Sequence, residues 1–165
     1  MLQILHKGLQ LSIPQDQTGF TGNLQTDLAL AVVTKMVAGR IVGINTVTTT
    51  GAIGYAGLGD GLVTSPYAVP LGVLINDAAG YFFENPAAYA SGMVAIIKGP
   101  AMIITDQWNV GDTFTPGVEV YCGTHGNSSQ GLFTTIGTPG TNVQVGTAMN
   151  SPAAGGNLQV LLTGF

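Results

Sequence analysis

The chain has 165 residues (16.8 kDa), enough for one domain, and a domain of this size buries roughly 70% of its unfolded-chain surface. Only 7% of the residues are charged, four Lys/Arg against eight Asp/Glu for a net charge of −4, where ordinary soluble domains carry about 25%. With 45% hydrophobic residues, 25 Gly and a mean hydropathy of +0.40, this balance excludes a disordered chain, and four dispersed cations cannot supply the clustered charge that nucleic-acid binding needs.

The first segment, Met1 to Ile13, mixes Gln, His and Lys among its leucines, so no export signal is read there. It runs into a polar, glycine-containing stretch from Pro14 to Gly22, the composition of an extended arm rather than of a core element. Ile4, Leu5, Leu9, Leu11 and Ile13 are then the apolar anchors by which such an arm would hold another subunit. The competing reading is that this segment packs on its own domain. Leu24, Leu28, Val32 and Met36 fall at helical spacing, with Asn23 as a cap and Gly39 as a stop, which predicts a short helix over 24–36. The same residues also alternate acceptably as a strand.

From Arg40 onward the chain reads as short extended runs between Gly and Pro punctuation, and no stretch shows sustained helical spacing. Strands are predicted over 41–48, 70–75, 93–98 and 101–105, the last two separated only by Gly99-Pro100. Two more, 113–115 and 118–121, flank the turn dipeptide Pro116-Gly117, and 132–136, 143–148 and 158–163 complete the set. The region from Gly51 to Pro70 holds five glycines and reads as a long loop. Turn signals every eight to twelve residues predict an all-β fold: a single β-sandwich or barrel, jelly-roll-like, over 37–165, with an extended N-terminal arm over 1–36. The most apolar runs, Leu28 to Val33 and Val94 to Ile97, are too short to cross a membrane as helices.

Catalytic chemistry needs a constellation, and none is spelled out. His6 and His125 stand in unrelated segments with no metal-ligand spacing, there is no GxSxG elbow, and no acidic cluster suits calcium. A carboxylate pair would require the fold to bring Asp77 or Glu84 opposite Asp106; most of the acids instead abut Gly or Asn, where they cap turns. The glycines from Gly54 to Gly61 fit neither phosphate-loop pattern. Cys122 reads as a buried small hydrophobe, and Asn127-Ser128-Ser129 as a turn rather than a glycosylation site. The terminal Phe165 ends a strand-like run of a soluble sheet rather than of an outer-membrane barrel. No catalytic residue, metal ligand or cofactor site is therefore expected. Trp108 with Tyr55, Tyr67, Tyr81, Tyr89 and Tyr121 offers the alternative of a carbohydrate- or receptor-binding module. After Glu119 the last 46 residues hold no Asp, Glu, Lys or Arg, and their polar atoms belong to Thr, Asn, Gln and Ser. Neutral hydroxyls and amides are desolvated at far less cost than ions, which suits contact with another protein.

In their order along the chain, several of these pieces resemble the capsid decoration, or cement, proteins of tailed bacteriophages. Val37-Ala38-Gly39-Arg40-Ile41-Val42 is similar to an early strand of that family, and Pro70 to Gly80 to its next element. Val94 to Gly99 resembles the strand that follows. Gly111 to Tyr121 looks like the family's hairpin, and Val145 to Ala148 and Leu158 to Leu162 like its closing strands. The resemblance covers 37–165 and implies a non-enzymatic β-domain on the outside of an assembled virion head. It implies the major capsid protein as partner, self-association as a dimer or trimer, and no nucleic acid, membrane or cofactor.

Overall fold

The computed structural model describes residues 2–6, 8–14, 37–44, 53–55, 69–75, 93–123, 131–135 and 143–165. They form eleven strands: β1 (Leu2–His6), β2 (Leu9–Pro14), β3 (Ile41–Ile44), β4 (Ile53–Tyr55), β5 (Val69–Leu74), β6 (Met93–Lys98), β7 (Ala101–Thr105), β8 (Glu119–Cys122), β9 (Phe133–Thr134), β10 (Gln144–Ala148) and β11 (Leu158–Leu162). There is no helix among the described residues, and the helix predicted over 24–36 lies outside them. The strands make two antiparallel sheets, one of six strands in the order β1-β7-β11-β10-β8-β9 and one of five in the order β2-β6-β5-β3-β4. A single core cluster joins residues of both sheets, so the expected all-β fold is present as a β-sandwich.

The two sheets are built from different sequence patterns. In β7 and β11 buried residues alternate with partly exposed ones, as period-two side-chain geometry requires of a strand covered on one face. Ala101, Ile103, Leu158, Val160 and Leu162 point into the core. The five-stranded sheet instead carries adjacent buried pairs: Ile41-Val42, Val73-Leu74 and Ile96-Ile97 are all fully buried. Ile41, Val73 and Ile97 form one cross-strand row and belong to the core. Val42, Leu74 and Ile96 lie on the opposite face, outside that cluster, and are buried too. At these positions both faces of the sheet are covered, which is why Ile41-Val42, Val73-Leu74 and Ile96-Ile97 read as apolar pairs rather than as an alternation.

One strand pair belongs to both sheets. β1 pairs with β7 in the larger sheet, and β2 pairs with β6 in the smaller. The register is continuous: Leu2 faces Thr105, Ile4 faces Ile103, Leu9 faces Lys98 and Pro14 faces Met93. A shift between Ile4 and His6 is regained by Leu9. The pair is thus a single antiparallel ribbon bent at Gly8 on one strand and at Gly99-Pro100, a cis peptide, on the other. The bend is tight enough that a Cβ on Gly8 would fall 1.9 Å from the Lys98 carbonyl oxygen and 2.9 Å from Ala101 Cβ. The expected arm is therefore extended over 2–14, but there it lies along the domain's own sheets as their edge strands; residues 15–36 lie outside the described residues.

A second junction closes the sandwich. Gly39, at φ +90°, turns the chain into β3; its N–H donates to the Leu74 carbonyl (2.9 Å), and the Leu74 N–H donates to the Arg40 carbonyl (3.0 Å). From the other sheet, the buried Thr105 hydroxyl donates to the Gly39 carbonyl (3.2 Å) and accepts from the Gln107 N–H (3.0 Å). Arg40 Nε donates to Gln107 Oε1 at 3.0 Å across the same seam.

Two local expectations change. Residues 113–115 are not a strand: the turn at Pro116-Gly117, closed by the Val118 N–H on the Thr115 carbonyl (3.0 Å), leads into β8 without a partner strand before it. Within the predicted Gly51–Pro70 loop, Ile53–Tyr55 pairs with β3 as β4.

Replacing Gly8 by Ala is expected to lower unfolding stability in urea by about 2–4 kcal/mol, since backbone on the partner strand must move to admit the Cβ. Gly111→Ala, where only Asn109 Oδ1 lies near the new Cβ at 3.8 Å, should change it by less than about 0.5 kcal/mol. Equal effects at the two positions would refute the tight corner.

Candidate functional site

The six-stranded sheet has one face in the core and one turned outward. Alternation puts Gln3 on β1, Met102 and Ile104 on β7, Gln159 and Leu161 on β11, Thr147 on β10, and Glu119 and Tyr121 on β8 on that outer face. Cross-strand pairing orders them in rows. Gln3, Ile104 and Gln159 form one row; Met102, Leu161, Thr147 and Glu119 form a second. Gln3 and Glu119 are exposed and the others partly so. Met149 continues the first row, its N–H donating to the Gln159 carbonyl at 2.9 Å, and is 40% exposed.

The face is apolar along its middle and amide- or hydroxyl-bearing around it. Among the described residues Glu119 carries its one carboxylate, and that carboxylate accepts a hydrogen bond from the Tyr121 hydroxyl. This hydrogen bond, helped by slight desolvation and by the charge of Glu119, raises the Tyr121 phenol above its ordinary 10.0. Such a surface loses little hydration energy when another protein covers it, because almost none of its groups is an ion.

The apolar anchors predicted in the N-terminal segment divide. Ile4, opposite Ile103, packs against the core, whereas Leu5 and Leu9 are 46% and 59% exposed. Leu11 and Ile13 pair by backbone with Ile96 and Val94; their side chains lie outside the described residues. Met102, Ile104 and Leu161 were not singled out from sequence, although the signal was present: AMIIT and LQVLL carry apolar residues in both phases of a strand with only one buried face.

Groups considered for chemistry have structural work among the described residues. Asp112 does more than cap its turn: one oxygen accepts from Asn109 Nδ2 (2.9 Å) and the other from the Thr135 N–H (2.8 Å) and the Thr134 hydroxyl, tying the 109–112 loop to β9. Asp106 is exposed and accepts from Gln107 Nε2 at 2.9 Å. The residues proposed to face it, Asp77 and Glu84, lie outside the described residues, as do His125, the 127–129 turn and Tyr67, Tyr81 and Tyr89. Trp108 is 4% exposed, donates from Nε1 to the Gly156 carbonyl (2.9 Å) and meets Phe114 edge-to-face at 5.6 Å. It is core and presents no stacking platform. No group of three or more His, Cys, Asp or Glu among the described residues is placed to hold a metal.

Cys122 is fully buried beside Phe133 on the inner side of the sheet. Burial pushes its thiol from the ordinary 9.0 up to about 12, with a backbone hydrogen bond at Gly131 opposing the shift. The sequence matches no protein-family model and no curated protein at a significant level.

The thiol makes an alkaline prediction. Below pH 9 it is neutral in both states; between pH 9 and about 12 the unfolded chain ionises it and the folded chain does not. Stability should therefore fall as pH rises through this window, by at most about 1.4 kcal/mol per pH unit. Cys122→Ala should flatten that slope in urea titrations from about pH 8 to 10.5, and a disulfide reagent should modify the native thiol only as fast as the protein unfolds. Rapid native-state labelling would contradict the buried position.

Proposed function

We propose that this protein is a structural, non-enzymatic binding domain of the capsid decoration kind. It attaches to the outer surface of a tailed-phage head, is synthesised in the host cytoplasm, and reinforces contacts between major capsid subunits as a homo-oligomer. The observation that carries this reading is the outer face of the six-stranded sheet: Met102, Ile104 and Leu161 framed by Gln3, Gln159 and Thr147, with Glu119 as its one carboxylate. The order of strand motifs over 37–165 supports the same assignment. Contact through such a face is weak per copy, and many copies on a lattice multiply it. The buried Trp108 removes the aromatic on which the carbohydrate-binding alternative leaned most.

Co-sedimentation with tailed-phage heads tests the reading directly. The protein should pellet with mature heads, and binding should change little between about 0.05 and 0.5 M salt because few ion pairs are there to screen. A Thr147→Lys/Gln159→Lys double variant should weaken binding at least about tenfold, some 1.4 kcal/mol, at unchanged urea stability. Absence of the wild-type protein from the pellet overturns the decoration assignment, and full binding by the double variant removes the outer face from it.

A further inference from the structure

We propose that residues 2–14 are an exchangeable ribbon, able to seat on the β6–β7 strip of a second copy of this chain as they seat on their own. β1 and β2 are edge strands of both sheets at once, and among the described elements β1 pairs only with β7 and β2 only with β6. The segment is thus held at ten paired positions in two stretches, from Leu2 against Thr105 to His6 against Met102 and from Leu9 against Lys98 to Pro14 against Met93. That strip is identical on every copy. Seating in trans restores every ladder hydrogen bond and returns Leu2 and Ile4 to the core they pack against.

The seat cannot stay empty. Without the ribbon, β6 and β7 become open edges and the apolar flank of the core meets water. What decides between own and neighbouring chain is reach and concentration. Twenty-two residues, all outside the described ones, separate Pro14 from Val37, a contour of at most about 75 Å, and covalent linkage over that reach gives a segment millimolar effective concentration at its own seat. Copies crowded side by side reach comparable concentrations, so trans seating competes on equal terms there and dilute protein favours the closed form. Exchange draws two domains together at the ribbon, on which Leu5 and Leu9 stand 46% and 59% exposed. The inference does not depend on what the outer sheet face binds, so head binding and strand exchange fail separately.

Two singly substituted full-length chains test it. Gln3 and Ile104 are direct cross-strand partners on the outer face, so Gln3→Cys on one chain and Ile104→Cys on another can be joined in register only if the ribbon crosses between copies. The two chains, distinguished by mass, are refolded together at about 1 mM and oxidised. A covalent heterodimer linked at positions 3 and 104 is expected, at least about tenfold above the yield from Gln3→Cys mixed with Thr147→Cys, which lies on the same face three strands from β1. Native folding of each variant is read from its urea midpoint, and the Gln3→Cys/Ile104→Cys double variant, refolded dilute, should close the bond within one chain. Equal yields from matched and mismatched mixtures overturn the proposal, as does exclusive intrachain closure by the double variant at about 1 mM.

Discussion

The architecture depends on a close backbone approach at one corner. Two antiparallel strands run from one sheet into the other without losing register, and they do so where Gly8 passes over the Lys98 carbonyl with no room for a side chain. A sandwich needs its sheets tied at their margins, and a shared strand pair is the most direct tie because every ladder bond on either side contributes to it. The tie also fixes the relative twist of the sheets, so the row Ile41, Val73 and Ile97 is set against Ile103, Val160 and Val145 in one core. The seam from Gly39 through Thr105 to Gln107 acts on the opposite side of β7 from the bend, and holds the start of β3 to the end of that strand. With both in place neither sheet can slide on the other.

This arrangement leaves the two outer faces in different states. On the five-stranded sheet Val42, Leu74 and Ile96, which face away from the core cluster, are as inaccessible as the core itself. Burial of each such side chain is worth about 1.5–3 kcal/mol, so that layer is part of what keeps the domain folded. On the six-stranded sheet the corresponding positions, Met102, Ile104 and Leu161, are only half withdrawn from water. Their apolar area is not spent on the domain's own stability. It is available to a partner, and the surrounding amides and hydroxyls supply hydrogen bonds without the desolvation penalty of ions.

How much of this was legible beforehand follows from which forces are local. Strands β3, β6, β7, β9, β10 and β11 fall within runs that β-branched residues and glycine punctuation mark out, and β5 and β8 overlap theirs to within one residue, because those preferences act within a few residues. The pairing of those strands was not readable. Gly99-Pro100 sits between two strong runs and suggests a tight connection between neighbours, yet β6 and β7 end in different sheets, since the bend depends on what Gly8 leaves room for ninety residues away. The N-terminal segment was extended in composition, but a free arm and an edge strand have the same local signature; only the β6–β7 strip distinguishes them. Residues 113–115 show the converse failure: Thr-Phe-Thr has strand propensity, and Phe114 is instead drawn into the core against Trp108. The candidate face was half visible, as charge depletion after Glu119, while of its apolar middle only Leu161 lies in that region and Met102 and Ile104 come from β7, whose run precedes it.

Charge depletion therefore reflects two separate demands. Between Val120 and Leu162 most strand positions facing inward are core, where an ion would be expensive for any function. The informative positions are those facing out, where nothing in the fold forbids Lys or Glu: Thr147, Gln159 and Leu161 could each carry a charge at almost no penalty to the isolated domain. β7 repeats the pattern at Met102 and Ile104, before the charge-free region begins. An isolated domain gains solubility from charges at such sites and pairs badly with others because of them. One contiguous face forgoes that benefit while Lys98, Asp106 and Asp112 are retained elsewhere, and it is this contrast, rather than low charge as such, that favours the proposed contact with another protein.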